Sequence, residues 1–162
     1  MTDQPHSEVT VRRARAADVP GLVASSAALF AEDAGTRDPG VDVSWPLRHG
    51  AERFAEDVED PGRLLLVVEH GGEVVGHLSG TVADGSSKRP VKVATLVALY
   101  VRPAHRRTRT GARLVEAFVA WAKERGAEEA EVSAYAENPD AIRFYERHGF
   151  AARTLTLGLP LA

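Results

Sequence analysis

The chain has 162 residues, of which 44% are hydrophobic and 27% charged, and its formal net charge is -3. This balance is typical of one globular domain with a single core, and the lack of cysteine excludes disulfides, thiolate nucleophiles and cysteine-based zinc sites. The start, residues 1–8, is polar and acidic, and no apolar run approaches the roughly 20 residues of a membrane span. We therefore expect a cytoplasmic protein with no membrane partner.

Hydrophobic periodicity in the first half of the chain predicts one strand, two helices and a hairpin. The strand covers residues 9–12, the helices about 19–30 and 47–58, and the hairpin strands 64–69 and 74–82. Asp18 is placed to cap the first helix. The breakers between Gly35 and Pro46 indicate a loop, which we expect to be mobile.

The second half predicts three strands alternating with two helices. The strands cover 91–101, 131–134 and 154–159, one helix carries an apolar stripe over 114–122, and the other begins at 138–140. The first of these strands is β-branched and nearly uncharged, so we expect it in the centre of the sheet, buried on both faces. Gly126 suits a left-handed C-cap, Asn138 can cap the last helix, and Gly149 ends it with a Schellman-type contact from Phe150. The order predicts one α/β layer structure around a mostly antiparallel sheet.

A basic turn joins the long strand to the helix that follows it. Between Arg102 and Arg113 there are five arginines and His105 but no acid. Such a turn directs unpaired backbone N–H groups and the positive end of the helix dipole to one point, which favours an anion such as a phosphate group. From charge alone, a nucleotide cofactor, a free phosphate, a nucleic-acid backbone and a merely solvated turn all stay open.

A second motif, from Asn138 to Phe150, follows the basic turn by about thirty residues and contains Phe144-Tyr145. It matches the pattern N-x-x-A-x-x-F-Y-x-x-x-G-F of the GNAT N-acetyltransferase superfamily at every specified position. The family's other pattern, V-x-P followed by Q/R-x-x-G-x-G/A, is matched at four positions of the basic turn. These are Val101, Pro103, Arg106 and Gly111.

The chain thus resembles the GNAT superfamily from Val9 to about Leu157. The resemblance implies an α/β fold with a central, mostly antiparallel twisted sheet of about six or seven strands and about four flanking helices. It places one acetyltransferase domain over 9–162, after a flexible start over 1–8. It also implies a homodimer and no metal.

The resemblance further implies an acetyl-CoA-dependent enzyme that acetylates a primary amine directly, in a ternary complex. A backbone N–H of Leu99 or Val101 would stabilise the tetrahedral intermediate, and Tyr145 would be the catalytic acid toward the leaving thiolate. A phenol pKa of about 10 against about 8.5 for the thiol makes tyrosine a mild acid. The residues implied in binding acetyl-CoA are Leu99, Tyr100, Val101, Arg106, Arg107, Thr108, Arg109, Thr110, Gly111, Ala112, Asn138 and Tyr145.

The turn departs from the family pattern at two glycine positions, which are Arg107 and Arg109 here. Glycine there permits positive φ and close approach of the backbone to a pyrophosphate. A side chain pushes the phosphates outward or strains the loop, while the two guanidiniums add charge-assisted donors. The site therefore binds coenzyme A in a shifted pose or has lost it, and we favour retained binding because the second motif is intact.

The base that deprotonates the amine is not assigned by the sequence. Many relatives place a glutamate on the central strand, but residues 95–99 contain no acid. The candidates elsewhere are Glu32, Asp33, Glu69 and Asp84, and His77 with Ser79 and Thr81 on the same strand face. Ordered water is a further alternative.

The acidic stretch from Glu32 to Asp60 covers the helices that form the acceptor side in the family. It indicates a cationic acceptor, such as a polyamine, an aminoglycoside-like amine or a basic peptide end. The alternative is a degenerate GNAT domain that serves as a coenzyme A-binding or non-catalytic interaction module, which Arg109 favours. A nucleic-acid partner is not expected, because the basic turn has no interleaved aromatic residues and the net charge is negative.

Overall fold

The structure, a computed structural model, describes residues 9–162, so the predicted flexible start over 1–8 lies outside the described residues. The strands are β1 (Thr10–Arg13), β2 (Arg63–His70), β3 (Glu73–Ala83), β4 (Val93–Val101) and β5 (Glu129–Val132). The helices are α1 (Val19–Glu32), the single turn α2 (Ala34–Arg37), α3 (Trp45–Glu59), α4 (Thr110–Glu124) and α5 (Pro139–Arg147). Short 3-10 turns at Ala16–Asp18 and Pro103–His105 precede α1 and α4.

The strands form one sheet in the order β1-β2-β3-β4-β5. The first four pair antiparallel in succession, and β4 pairs parallel with β5. The predicted α/β class and the mostly antiparallel sheet are confirmed, as are four helices of more than one turn. The sheet has five strands within the described part of the chain, fewer than the six or seven expected.

The missing strand is the one predicted over 154–159. The chain from residue 151 to 162 is exposed throughout and belongs to no helix or strand. It follows Phe150, which packs on the core, and contacts the sheet through Arg153, whose Nη1 is 2.8 Å from Glu129 Oε2 on β5. The prediction was wrong because periodicity two reports the tendency to form a strand, whereas a strand also needs a neighbour to pair with.

Helices cover both faces of the sheet, and this explains why residues 64–68 of β2 are all apolar. Leu64, Leu66 and Val68 face the cluster under α4, built around Phe118. Leu65 and Val67, which alternate with them, face the cluster under α1 and α3. Because successive side chains of a strand point to opposite faces, a strand between two helical layers must be apolar at every position.

The predicted helix ends are confirmed at both termini of α5 and corrected at the start of α1. Asn138 Oδ1 accepts from Ala141 N at 3.2 Å, as expected of a cap. Gly149 has a φ of 93° and Phe150 N donates to Tyr145 O, which is the predicted Schellman contact. Asp18 makes no side-chain cap on α1, because its carboxylate is held by the Arg12 guanidinium at 2.7 Å. This hydrogen bond with Arg12 also lowers the pKa of Asp18.

The loop expected over 35–46 is partly helical, since α2 occupies its start and α3 begins at Trp45. Within residues 9–162, no helix is long and apolar enough to cross a membrane. The same residues contain no group of three or more potential metal ligands.

Candidate active site

A gap opens between β4 and β5 where the two strands stop pairing. Their register runs from Val93 opposite Glu129 to Leu96 opposite Val132, where β5 ends. Residues 97–101 of β4 continue without a β5 partner in the described chain. The gap therefore exposes one edge of β4 next to the start of the basic turn.

The backbone of β4 directs Leu99 and Val101 into this gap. Arg102 N donates to Val75 O at 2.8 Å on the β3 side. Since consecutive peptide groups along a strand point to opposite sides, those of Val101 and Leu99 face away from β3. The side chain of Tyr100 between them is buried, with 7% exposed. This edge has the geometry that strand-like pairing with an amide-bearing ligand requires.

A bulge in β4 lies directly before this edge. Ser79 pairs with Ala98 but Gly80 pairs with Leu96, so Val97 is an extra residue on β4. The bulge turns Val97 outward, where its side chain is 57% exposed. The expectation that this strand is buried on both faces is therefore wrong at its middle.

The basic turn keeps a left-handed backbone at both positions where the family pattern has glycine. Arg107 has a φ of 63° and Arg109 a φ of 62°. Left-handed backbone costs roughly 1–2 kcal/mol for a residue with a β-carbon, so the surrounding structure imposes this shape. Arginine at these two positions therefore adds charge to a turn whose backbone has the conformation that glycine adopts most readily.

Helix α4 begins at this turn with its first amides unpaired by the helix. The first intrahelical bond is donated by Arg113 N to Arg109 O at 2.9 Å, so the N–H groups of Thr110, Gly111 and Ala112 precede it. The hydroxyls of Thr108 and Thr110 lie 2.8 Å apart. The turn thus combines a helix N-terminus with the exposed guanidiniums of Arg107 and Arg109, which suits a diphosphate.

Gly111 brings the two sequence motifs into contact. A β-carbon on it would lie 3.2 Å from two ring atoms of Phe144 on α5. Larger side chains would separate α4 from α5. The glycine of the first motif and the phenylalanine of the second are therefore two sides of one packing contact.

Arg106 does not have the free guanidinium expected of a phosphate ligand. Its Nε donates to Val101 O at 2.7 Å, and its Nη2 donates to Glu32 at 2.8 Å. The guanidinium also lies 5.6 Å from the Tyr100 ring centre. The Arg106 side chain therefore connects the basic turn to β4 and to the end of α1. A phosphate would be contacted by the backbone of Arg106 and by the neighbouring residues instead.

Tyr145 on α5 is half-buried, with its ring edge-on to Phe144 and Phe150. Burial, and secondarily the charge of Asp33, raises its pKa to about 12. The phenol therefore stays protonated at neutral pH, which is the form an acid needs. It also gives up its proton less readily than an ordinary phenol, so the gap to a thiol is wider than the sequence suggested.

Asn138 is used as a helix cap, and its amide also contacts α1. Besides accepting from Ala141 N, its side chain lies with Nδ2 3.4 Å from Asp33 Oδ1. Asp33 also pairs with Arg37 at 3.3 Å. The end of α1 therefore contacts both walls of the gap, with Glu32 on the basic turn and Asp33 on α5.

A cavity of about 470 Å³ adjoins the β4 bulge on the side of α1 and α3. Its walls include Val97 and Ala98 together with the parallel rings of Phe30 and Trp45, whose centres are 6.1 Å apart. The charged lining residues are Asp42, Asp57, Arg53 and Arg63. These charges balance, and Arg63 Nε lies 3.9 Å from Asp57 Oδ1. Burial raises the pKa of Asp57.

His77, Ser79 and Thr81 line this cavity together, as their shared strand face predicted. His77 is only 1% exposed, and its Nδ1 lies 2.5 Å from Ser25 Oγ. Burial lowers its pKa to about 4, so the imidazole is neutral at pH 7. A neutral imidazole can accept a proton, but a pKa this low makes it a weak base.

Of the other candidate bases, two lie near the gap and two lie away from it. Glu32 and Asp33 lie at the gap, whereas Glu69 is 2.7 Å from Arg12 on β1 and Asp84 is exposed beyond the end of β3. The cavity residues Phe30, Trp45, Arg53, Asp57 and Arg63 were not identified from the sequence. The first four lie on helices at a spacing that ordinary amphipathic helices share, and Arg63 begins β2, so no local signal distinguished them.

Comparison with known proteins finds acetyltransferases among the relatives of this chain. The sequence profile of the acetyltransferase (GNAT) family matches residues 29–150. An uncharacterized N-acetyltransferase of Mycobacterium tuberculosis is 33% identical over 109 residues, which cover 65% of this chain and 66% of that protein, just under two thirds of its length. An acetyl transferase of Oryza sativa subsp. japonica is 35% identical over 102 residues, covering 56% of this chain and 24% of that protein.

Solved structures share the fold over nearly the whole chain. A protein described as a transcriptional regulator from Bacillus halodurans is 28% identical with a TM-score of 0.75, covering 95% of this chain and 100% of that one. An aminoglycoside N-acetyltransferase solved with CoA is 15% identical with a TM-score of 0.76, covering 98% of this chain and 97% of that one. At that identity the likeness concerns the fold alone.

Proposed function

Because the chain belongs to the GNAT acetyltransferase family, we propose that it transfers the acetyl group of acetyl-CoA to a primary amine by direct attack in a ternary complex. The observation that supports this proposal is the arrangement of three features around the end of α1. These are the edge of β4 that β5 leaves unpaired, the left-handed basic turn that Arg106 connects to Glu32, and Tyr145 on α5, whose pKa Asp33 helps to raise.

Each feature has a separate role in the proposal. The edge at Leu99 and Val101 would pair with the pantetheine arm, and a backbone N–H there would stabilise the oxyanion that forms as the amine attacks. The basic turn would hold the pyrophosphate through helix amides and through Arg107 and Arg109. Tyr145 would donate a proton, or a hydrogen bond, to the departing sulfur.

The retained turn favours an active enzyme over a non-catalytic module. Arg107 and Arg109 have the left-handed backbone that glycine adopts readily, so the amides at the start of α4 stay directed to one point, which favours retained binding of coenzyme A. The rest of the pattern, including the contact of Gly111 with Phe144, is also in place.

The acceptor would enter through the cavity beside Val97. Its walls are mostly apolar and its charged residues balance, which favours one amino group on an apolar or aromatic body over a polycation. The acceptor, which the acidic stretch predicted to be cationic, would then carry its positive charge only on the reacting amine. Asp33, close enough to influence Tyr145, would attract that ammonium.

An acetyl-CoA turnover screen over aromatic, aliphatic and polyamine acceptors tests the proposal. We expect turnover with at least one class, and Val97→Trp, which fills the cavity mouth, to raise the KM for the amine while leaving the KM for acetyl-CoA unchanged. Asp33→Asn should likewise raise the KM for the amine while leaving the KM for acetyl-CoA unchanged. Absence of turnover with every class, together with no binding of acetyl-CoA, would favour the non-catalytic module. The cytoplasmic location and the homodimer also stay predictions.

A further inference from the structure

The charges that line the cavity beside the β4 bulge balance in total but not at each end. Asp42 belongs to the start of α3, where it accepts hydrogen bonds from the backbone N–H and the hydroxyl of Ser44 at 2.9 and 2.6 Å. Arg48 Nη1 also lies 3.4 Å from its carboxylate. The remaining charged lining residues, which we call the arginine end, are Arg53, Asp57 and Arg63. They carry one positive charge in excess.

The two guanidiniums of the arginine end donate no hydrogen bond to any residue between 9 and 162. Arg63 Nε lies 3.9 Å from Asp57 Oδ1 and 4.0 Å from Asp60 Oδ2, beyond hydrogen-bond distance. Burial raises the pKa of Asp57, and the charges of Arg63 and Arg53 oppose this rise, so both guanidiniums act on the same carboxylate. Because each guanidinium has five N–H donors, most of them are left for a ligand or for water.

The sheet register gives the distance from the arginine end to the β4 bulge. Arg63 pairs with Thr81 on β3, and Ser79, two residues along β3, pairs with Ala98 on β4. With strands about 4.8 Å apart and about 3.3 Å per residue, the Cα atoms of Arg63 and Ala98 are roughly 12 Å apart. Because the Arg63 side chain lines the same cavity, an anion held there would lie about one ring or short chain from an amine at the bulge.

Aromatic side chains supply the flat part of the cavity wall. The parallel rings of Phe30 and Trp45 line it together with Phe54, which is buried in the cluster under α1 and α3. A volume of about 470 Å³ is within the range of small-molecule sites. These walls favour a flat apolar body in the space between the bulge and the arginine end.

We propose that the amine acceptor also carries a carboxylate, which Arg53 and Arg63 bind while the amine lies beside Val97. The inference rests on the proposed acetyl transfer and names its acceptor class, an aromatic or apolar body with a primary amine at one end and a carboxylate at the other. A carboxylate is planar and singly charged, so it matches the guanidinium fork and the single excess charge of the arginine end. An α-amino acid, with one carbon between its two groups, is too short to reach both points.

Trp45 supplies a readout of the cavity that needs neither acetyl-CoA nor turnover. The chain has two tryptophans, and the other, Trp121, is 3% exposed in the cluster under α4, on the opposite face of the sheet. A ligand in the cavity should therefore change the fluorescence of Trp45. The variant Trp45→Phe should lose this change.

Fluorescence titrations with 4-(aminomethyl)benzoate and with its neutral analogue 4-(aminomethyl)benzamide test the carboxylate site. We expect the wild type to bind the carboxylate with a Kd at least about 10-fold lower, through charge-assisted hydrogen bonds. In Arg53→Gln/Arg63→Gln the two ligands should bind alike, with the Kd of the amide unchanged. Arg125→Gln is the matched control, because Arg125 is exposed at the end of α4, and it should keep the preference.

A second variant guards against misfolding of the first, which circular dichroism checks. Arg53→Lys/Arg63→Lys keeps both charges but loses the planar forks, and it should keep only part of the preference. Equal affinity of the two ligands in the wild type would overturn the inference. A preference that survives in the glutamine variant, or no fluorescence change with either ligand at millimolar concentration, would do the same.

Offering both ligands as acceptors with acetyl-CoA separates this inference from the function on which it rests. Turnover of the amide without any preference for the carboxylate would reject the carboxylate site and leave the acetyl transfer in place. A preference in binding that depends on the two arginines, with turnover of neither ligand, would support the site and count against the acetyl transfer.

Discussion

The carboxylate of Glu32 and the guanidinium of Arg106 form an ion pair of 2.8 Å across 74 residues of sequence. The pair fixes the end of α1 on the basic turn, and the hydrogen bond from Arg106 lowers the pKa of Glu32. Asp33, the next residue, contacts Asn138 on the opposite wall of the gap. The acceptor-side helix and the two walls of the proposed acetyl-CoA site are thus joined at one point.

Substitution of either partner tests this connection. We expect Glu32→Gln to lower the free energy of unfolding by at most about 1 kcal/mol, because both side chains of the pair are partly exposed. Arg106→Gln should lower it further, because it also removes the hydrogen bond to Val101 O. The double variant should lose little more than the more damaging single variant, since one interaction is removed in all three. Urea unfolding of the four proteins measures this, and additive losses would show that the pair is not coupled.

The left-handed turn gives a prediction that separates backbone from charge. Arg109→Gly and Arg109→Ala remove the same charge, but only glycine relieves the positive φ. We expect the glycine variant to be more stable than the alanine variant by about 1 kcal/mol. The KM for acetyl-CoA should rise alike in both. Equal stability of the two variants would mean that the turn is not left-handed in solution.

The buried imidazole of His77 predicts a loss of stability in mild acid. Its pKa is about 4 in the folded protein and about 6.5 when unfolded, so the unfolded state binds the extra proton between these values. The protein therefore has its full free energy of unfolding above pH 6.5. This free energy falls by up to roughly 3 kcal/mol as the pH drops toward 4. Urea unfolding should show a shallower pH dependence for His77→Asn than for the wild type. Identical slopes would contradict the buried neutral state.

Removal of the Tyr145 hydroxyl tests the proposed acid. We expect Tyr145→Phe to lower kcat by roughly 10²- to 10⁴-fold with little change in the KM for acetyl-CoA. Because the pKa of Tyr145 is about 12, its deprotonation should not reduce kcat of the wild type at pH 8 to 10. Steady-state kinetics across this range checks both statements. Full activity of the phenylalanine variant would end the assignment.

The sequence predicted the parts of the site that depend on local rules. Asn138 and Gly149 were placed correctly because a cap and a positive φ each demand a particular residue type. Interactions between distant residues could not be predicted in this way. No feature of the sequence around Arg106 indicates that its guanidinium pairs with Glu32. The bulge at Val97 depends in the same way on the pairing register against β3.

The C-terminal segment shows the same limit. Alternating leucines predicted a strand over 154–159, but a strand also needs an edge to pair with, and in this fold the segment pairs with none. A single-chain pattern reports what a segment can form and not which partner it meets.

Calorimetric titration with acetyl-CoA tests the central claim most directly, because it needs no knowledge of the acceptor. We predict one binding site per chain in the wild type, with affinity that falls at least about 10-fold in Arg107→Glu/Arg109→Glu through loss of two charge-assisted contacts. Lys88→Glu, a charge reversal on an exposed loop residue, should bind like the wild type. No heat of binding to the wild type at millimolar acetyl-CoA, or equal affinity in all three proteins, would contradict the account.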